Sequence, residues 1–453
     1  MQSAEHLAKK FPKSFLFGAA TAAYQLEGAS TADGRGPSIW DIFSTTPGKV
    51  KNGDTGAVAC DHYNRLETDL NLLQSLGMQA YRFSIAWPRI QPTGKGKPLI
   101  AGLSFYDRMI DGLLARGIQP FATFYHWDLP QALEDKGGWR NRDTPKAFAD
   151  YAEILTQKFG DRLAAICTLN EPWCITYFSH LHGVHAPGLT DLKAAMHTVH
   201  HVNLAHGLAM QAIKSVNSTV PAGLVLNPQS IYAGNDTARD EEAAERAFLF
   251  NNGAFYGPVY EGAYPQELTD ELGDMLPEGW QGDMADIHQP GDFTGLNYYT
   301  PEYVYDAPTV NGKSNHWPRT RSERRTHLPK NDLGWDILPE GFTHCIAELQ
   351  KRYKLPPIYI TENGACDNTE IRDGKVQDKL RLGYLETHIE QIANMIDAGV
   401  DIRGYFLWSL MDNFEWAEGY EARFGIVHVD YATQKRTVKE SGRWYERLVA
   451  SRG

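Results

Sequence analysis

Two glutamates occupy the stretches of this sequence that are best suited to chemistry. Glu171 follows the β-prone run Cys167 to Asn170 and precedes Pro172, and Glu362 ends the run from Ile358 and precedes a turn. Cleavage of a glycosidic bond needs two carboxyl groups, because one protonates the departing oxygen and the other attacks the sugar or activates water. Either glutamate alone is weak evidence, since most glutamates are solvated. The pair predicts glycoside hydrolysis.

The two carboxyl groups must differ in ionisation. Burial and a neighbouring carboxylate both raise a pKa, so one glutamate helps to keep the other protonated. The ionised partner needs a positive or hydrogen-bonding neighbour, and Arg82 and Tyr299 are the candidates for this role. A purely structural salt bridge is the alternative for Arg82. Spacing alone does not assign the acid and the nucleophile.

Strand and helix patterns alternate along the whole chain. Eight strands are predicted, at Phe15–Ala19, Ala80–Ile85, Pro120–Tyr125, Ala165–Leu169, Gly223–Leu226, Phe293–Leu296, Ile358–Thr361 and Gly404–Trp408. The helical patterns lie at Tyr63–Leu76, Leu103–Arg116, Thr144–Phe159, Ala194–Val216, Gly341–Lys354 and Lys379–Ala398. This order predicts an α/β protein, a single (β/α)8 TIM barrel over residues 1–453 with its active site at the C-terminal ends of the strands.

A doubly wound open sheet is the rival architecture. That fold is expected to carry a glycine-rich phosphate loop after its first strand, and Gly18 to Gly28 lacks the required spacing. One segment, residues 306–332, shows little hydrophobic periodicity and is rich in Arg and Lys. We expect an irregular, solvated insertion there, and the functional alternative is a loop over the site mouth with Trp317 or Trp335 touching the site.

Composition excludes several classes of function. The chain has 453 residues and a formal net charge of −12, which disfavours nucleic acid or an anionic membrane as a partner. No apolar run is long enough to span a bilayer, and residues 1–14 lack the apolar core of a signal peptide. The cysteines are odd in number and lack metal spacing, so reduced thiols and a cytoplasmic location are expected. We expect no metal and no cofactor.

Eight motifs in order resemble glycoside hydrolase family 1, the β-glucosidase family, from one end of the chain to the other. They are Phe17–Gly28, Tyr81–Arg89, Tyr125–Pro130, Thr168–Pro172, His185–Gly188, Gly295–Tyr299, Ile360–Gly364 and Trp408–Trp416. The resemblance implies a (β/α)8 barrel and retention of anomeric configuration.

The resemblance also implies the roles of individual residues. Glu171 would be the acid/base and Glu362 the nucleophile, with Tyr299 as hydrogen-bond partner of the nucleophile. The implied sugar-binding residues are Gln25, His126, Trp127, Asn170, Glu415 and Trp416, with Trp408 as the floor of the pocket. Asn297 and Trp335 are assigned to the substrate pocket as well. Cys167 and Cys174 flank Glu171 and are interpreted as packing residues.

The predicted activity is that of a retaining exo-β-glycosidase on terminal neutral β-glucosides, with small-molecule β-glycosides or oligosaccharides as substrates and with β-galactosides and β-fucosides also expected. A 6-phospho-β-glycosidase is the closest alternative. It is disfavoured because Glu415, Glu418 and Glu421 would repel a phosphate dianion, which Arg423 alone would not offset. A transglycosidase using the same intermediate stays open. A sugar-binding protein without turnover is disfavoured because both glutamates are present. The sequence does not predict the oligomeric state.

Overall fold

Eight parallel strands form a closed barrel in the computed structural model, which describes residues 4–452. The strands are β1 (Leu16–Ala20), β2 (Ala80–Ser84), β3 (Gln119–Tyr125), β4 (Ala165–Asn170), β5 (Ala222–Leu226), β6 (Phe293–Asn297), β7 (Ile358–Asn363) and β8 (Ile402–Trp408). Each pairs with the next along the chain, and β1 pairs with β8 from Leu16 opposite Gly404 to Ala20 opposite Trp408. The predicted (β/α)8 barrel and all eight predicted strands are confirmed.

Helices surround the barrel. One long helix follows each strand, namely α1 (Leu66–Ser75), α2 (Ile100–Leu114), α3 (Asp143–Phe159), α4 (Leu192–Val216), α5 (Ala238–Phe248), α6 (Pro339–Arg352), α7 (Lys379–Asp397) and α8 (Glu440–Ala450). In α3, Phe148, Tyr151, Leu155 and Phe159 recur every three or four residues and are buried. This apolar stripe packs α3 onto its neighbours, while its charged residues face outward.

The strands are apolar on both faces because the barrel interior and the helical layer both exclude water. Every residue of β2, β4, β5 and β6 is buried. Such strands are typical of parallel sheets covered on both sides. The polar residues that interrupt them, above all Arg82 and Asn170, are therefore buried too, and each requires a hydrogen-bond partner.

Residues 306–332 are more ordered than the predicted irregular insertion. The strand Thr320–Glu323 pairs antiparallel with Pro301–Asp306, which pairs in turn with Ser230–Ala233. A short hairpin joins Thr309–Val310 to Lys313–Ser314. Hydrophobic periodicity does not reveal these strands, because their side chains are largely exposed and polar and the pairing is long-range.

Several shorter elements connect the barrel units. They include the helices Ala4–Ala8, Ile39–Thr45 and Gln266–Leu272, the π-helical segments Cys174–Leu181, Leu249–Gly253 and Gly257–Glu261, and the hairpin strands Val427–Asp430 and Lys435–Val438. Within residues 4–452, no helix combines the length and apolarity needed to cross a membrane. The same range contains no group of three His, Cys, Asp or Glu side chains placed to hold a metal ion. All five cysteines are buried and free.

Candidate active site

Glu362, near the end of β7, is held by two donors. Arg82 Nη1 donates to Glu362 Oε1 at 2.7 Å, and Tyr299 Oη donates to Glu362 Oε2 at 2.7 Å. Arg82 lies in β2, and its side chain is buried. A second hydrogen bond, from its Nε to Thr123 Oγ1 at 3.0 Å, fixes its orientation. The two predicted partners of the ionised glutamate therefore contact Glu362.

Glu171, directly after β4, has only neutral donors among residues 4–452. Asn297 Nδ2 donates to Glu171 Oε1 at 2.7 Å, and the thiol of Cys174 lies 3.1 Å from Glu171 Oε2. Cys174 is buried in the core, as its interpretation as a packing residue implies, and its sulfur also contacts the carboxyl group directly, which that interpretation did not include. A thiol three residues after a glutamate at a helix start is the signal that could have found it, since side chains three apart are neighbours on a helix.

Two asparagines connect the glutamates. Arg82 Nη2 donates to Asn170 Oδ1 at 2.6 Å, and Asn297 Nδ2 lies 3.2 Å from the same oxygen. Thr361 Oγ1 donates to Asn297 Oδ1 at 2.6 Å, which fixes the orientation of that amide. Sequence reasoning did not identify Thr361 as part of this network. Buried networks of this kind hold side chains in one geometry when their members are satisfied.

Backbone irregularities aim both glutamates into the barrel mouth. The pairing of β4 with β5 shifts register between Cys167 and Asn170, and the pairing of β7 with β6 shifts between Ile360 and Glu362. Such bulges redirect side chains at strand ends and are frequent beside active sites. Glu171 also has a left-handed backbone, with φ of 50°. A left-handed non-glycine residue costs about 1–3 kcal/mol and persists where its surroundings impose it.

The electrostatic environments of the two carboxyl groups differ. Burial, and secondarily the charge of Glu362, raises the pKa of Glu171 to about 8. Burial raises the pKa of Glu362 as well, and Arg82 and the Tyr299 hydroxyl oppose that rise. The shared proton of the pair therefore belongs on Glu171, with Glu362 ionised beside the guanidinium.

Next to this pair lies a group of polar side chains suited to hydroxyl groups. Asn170 Nδ2 lies 3.0 Å from His126 Nε2, and because Asn170 Oδ1 accepts from Arg82, the amide is the donor. Burial lowers the pKa of His126 well below its usual range, so the ring is neutral and carries its proton on Nδ1. Within residues 4–452, His126 Nδ1 has no hydrogen-bond partner. It is a buried donor available to a ligand.

Gln25 and Glu415 form the far side of the same group. Gln25 Nε2 donates to Phe414 O at 2.8 Å and lies 3.3 Å from Glu415 Oε2. Gln25 Oε1 is buried and has no partner in the described part of the chain, so it is a free acceptor. Burial and the charge of Glu362 raise the pKa of Glu415 to about 8.

Tryptophan rings enclose the polar group. Trp127 and Trp416 lie 4.6 Å apart between ring centroids, and the His126 ring stacks on Trp408 at 5.8 Å and on Trp416 at 5.9 Å. Trp127 also donates from Nε1 to Asn170 O at 2.9 Å. The predicted pocket residues Trp127, Trp408 and Trp416 thus converge on His126.

The two tryptophans considered for the site mouth separate in the structure. Trp335 packs on Tyr299, the partner of Glu362, with 5.8 Å between the ring centroids. Trp317 is buried against Phe250. Of the two, Trp335 contacts a residue of the glutamate network, and Trp317 packs in the protein core.

Fewer carboxyl groups are available to repel a phosphate at the pocket than the sequence predicted. Glu418 and Glu421 form ion pairs with Lys51 at the surface, and Arg423 Nη1 is bound to Asp412 at 2.7 Å. Lys51 lies far away in the sequence and Asp412 lies outside the 415–425 segment, so the composition of that segment could not reveal either partner. Of the three glutamates, Glu415 lies beside the pocket, and no cation within the described residues forms an ion pair with it.

The barrel fold and the paired glutamates at its C-terminal strand ends define a class of protein, the TIM-barrel glycoside hydrolases. The chain matches the family model described as "Glycosyl hydrolase family 1" over residues 7–453. The chain belongs to glycosyl hydrolase family 1, which confirms the resemblance.

Individual relatives agree with this assignment. The chain is 51% identical to a beta-glucosidase of Agrobacterium sp. over 444 residues, covering 98% of this chain and 96% of the relative. It is 47% identical to beta-glucosidase A of Thermotoga maritima over 447 residues, covering 98% and 99%. Among solved structures, the virulence factor SghA of Agrobacterium tumefaciens, in complex with its substrate analogue salicin, superposes with a TM-score of 0.97 at 49% identity, covering 100% of this chain and 99% of that one.

Proposed function

We propose that this protein is a retaining exo-β-glucosidase that removes terminal, non-phosphorylated β-D-glucosyl units from small glycosides. One observation carries the proposal: the two buried glutamates have opposite kinds of partner. Glu362 receives a hydrogen bond from a guanidinium, and Glu171 receives hydrogen bonds from neutral groups only. That asymmetry is what a nucleophile and an acid require at neutral pH. The activity named for the Agrobacterium and Thermotoga relatives supports the choice of β-glucosides.

In the first step, an ionised oxygen of Glu362 attacks C1 of the sugar. The bond from C1 to the leaving oxygen breaks, its electron pair stays on that oxygen, and Glu171 supplies the proton. The product is a covalent ester of the sugar with Glu362. Because the ester is neutral, Glu171 loses the neighbouring charge that raised its pKa, so its pKa falls and it stays ionised, ready to accept a proton from water.

In the second step, Glu171 accepts a proton from water while the water oxygen attacks C1. The ester bond breaks, and Glu362 regains its charge beside Arg82. Two inversions restore the original β configuration. Tyr299 stabilises the released carboxylate by its hydrogen bond to Oε2.

The neighbouring polar group would hold the sugar hydroxyls. Gln25 Oε1 supplies an acceptor, His126 Nδ1 a donor, and Glu415 can accept from two adjacent hydroxyls. Asn170 shares the neighbour Asn297 with Glu171 and would contact the hydroxyl beside C1. Trp408 and Trp416 would cover the apolar face and the C6 end of the ring, since C–H faces pack on aromatic rings.

The same pocket argues against a 6-phosphorylated substrate. A phosphate dianion requires positive donors, and Glu415 offers none in either protonation state. Arg423, the cation nearest in sequence, is bound to Asp412 and to Val429 O. The neutral sugar is therefore the better fit.

Initial rates on a panel of substrates test the proposal. The panel contains nitrophenyl β-glucoside, β-galactoside and β-fucoside, cellobiose, and nitrophenyl β-glucoside 6-phosphate. We expect efficient hydrolysis of the glucoside, and a kcat/KM for the 6-phosphate that is lower by orders of magnitude. An NMR time course should show β-glucose before α-glucose. First release of α-glucose, or equal rates on the phosphorylated sugar, contradicts the proposal.

A further inference from the structure

Cys174 is placed by the local fold against Glu171. The π-helical segment Cys174–Leu181 begins three residues after Glu171, and Cys174 N donates to Glu171 O at 3.0 Å. This turn brings the Cys174 sulfur to 3.1 Å from Glu171 Oε2. Both side chains are buried, so solvent does not compete for the contact.

A third side chain holds the thiol. Asn227 Nδ2 lies 3.5 Å from Cys174 Sγ, within the range of a hydrogen bond to sulfur. Burial and the charge of Glu171 raise the pKa of the thiol well above its ordinary value, so it keeps its proton. Because Asn227 donates to the sulfur, the S–H group is left to donate to Glu171.

The two oxygens of Glu171 therefore differ. Oε1 faces the amide of Asn297, which can only donate, and Oε2 faces a thiol, whose sulfur can also accept weakly. When Glu171 is protonated, Oε2 is the better place for the proton. When Glu171 is ionised, both oxygens receive a hydrogen bond.

From this geometry we propose that Cys174, oriented by Asn227, is a positioning residue for Glu171 that holds Oε2 in place and favours the ionised form needed in the second step. The inference rests on the proposed acid/base role of Glu171. It assigns to a buried cysteine a function that packing alone would not require.

Three variants separate this role from packing. Cys174→Ala removes the donor, and Cys174→Ser keeps a donor at the same position. Cys60→Ala is the matched control, because Cys60 is a buried cysteine whose thiol donates to a backbone oxygen, Asp412 O, at the same distance of 3.1 Å. The measurements are the pH dependence of kcat/KM on nitrophenyl β-glucoside, kcat on dinitrophenyl β-glucoside, and the thermal midpoint of each variant.

Loss of a donor to the carboxylate raises the pKa of Glu171. In Cys174→Ala, the alkaline limb of kcat/KM should therefore move up by about half a unit to one unit. On the dinitrophenyl substrate, whose leaving group needs little protonation, kcat should fall about 3- to 10-fold, because the second step loses its positioned base. Cys174→Ser should return the limb close to that of the unsubstituted protein. Cys60→Ala should change the thermal midpoint and leave the limb in place.

An alkaline limb that is unmoved in Cys174→Ala, or equally displaced in the alanine and serine variants, overturns the inference. The proposed function fails separately, if the unsubstituted protein does not hydrolyse the glucoside or if Glu171→Gln keeps the alkaline limb. A limb that depends on Glu171 but is indifferent to Cys174 leaves the proposed function intact.

Discussion

Arg82 and Glu362 form a buried ion pair between positions 280 residues apart in the chain, with 2.7 Å between Nη1 and Oε1. A buried pair of this kind recovers its desolvation cost only when the remaining donors are also satisfied. Arg82 meets that condition, because its other nitrogens bond Thr123 and Asn170. The pair therefore sets both the charge of Glu362 and the orientation of Asn170.

Arg82→Lys should lower kcat/KM by about 100-fold, because an ammonium keeps the charge but cannot donate to Glu362 and Asn170 in the fixed fork of a guanidinium. Steady-state kinetics on nitrophenyl β-glucoside measure this. Arg89→Lys is the matched control, since Arg89 is also buried and pairs with Glu27 at 3.0 Å. Equal losses of activity per folded molecule in the two variants would assign Arg82 a structural role only.

Removal of each glutamate should give a different anomer of the glycosyl azide when azide is added. In Glu362→Ala no glycosyl-enzyme forms, so added azide should attack C1 directly and give the α-glycosyl azide. In Glu171→Ala the first step survives for dinitrophenyl leaving groups, and azide should give the β-glycosyl azide. The product anomers are identified by NMR. Exchanged anomers would show that the two roles are reversed.

The pH profile of kcat/KM should be bell-shaped, since the first step needs Glu171 protonated and Glu362 ionised. Because burial raises the pKa of Glu171 to about 8, we expect the alkaline limb near that pH. The limb should disappear in Glu171→Gln assayed on a dinitrophenyl glucoside. If it persists, another group titrates there.

Glu171→Gln should stabilise the fold, and more so as pH rises. The folded protein holds the Glu171 proton up to a pKa of about 8, whereas the unfolded chain releases it near the ordinary glutamate pKa of 4.5. Stability therefore falls with rising pH through this interval, by at most about 1.4 kcal/mol per pH unit from this group. Glutamine does not titrate, so its advantage in urea unfolding should be small at pH 5 and larger at pH 8. A constant difference between the two pH values would contradict the raised pKa.

Glu415→Ser combined with Trp416→Ala should reduce kcat/KM on the neutral glucoside. Loss of the carboxyl group that bonds the buried hydroxyls should weaken transition-state binding by about 2–4 kcal/mol. The fucoside lacks the C6 hydroxyl and should lose less than the glucoside. Parallel assays on both substrates decide this, and unchanged activity on the glucoside would place the sugar elsewhere.

Much of the fold could be predicted because buried strands require local runs of apolar residues, which are visible in the sequence. The eight barrel strands are short apolar runs that end in polar residues, and each was placed to within about two residues. The sheet formed by Ser230–Ala233, Pro301–Asp306 and Thr320–Glu323 was not predicted. Its strands are partly exposed, so no apolar periodicity marks them.

The sequence predicts which residues form the candidate site, but it does not predict which side chains contact one another there. Motifs identified Glu171, Glu362 and Arg82, but the donor that faces each carboxyl oxygen depends on side-chain geometry. The thiol of Cys174 and the pairing of Lys51 with Glu418 are examples. In each, an ordinary residue gains its partner only through the folded chain.

The pairing of β1 with β8 closes the barrel and also brings together two residues of the proposed sugar pocket. Gln25 follows β1 and Glu415 follows β8, and they meet across the seam where the barrel closes. The Gln25–Glu415 side of the proposed sugar pocket exists only when these two strands are paired. During refolding, recovery of glucoside hydrolysis should therefore lag behind the recovery of helical signal, because turnover requires the first and last strands to have joined.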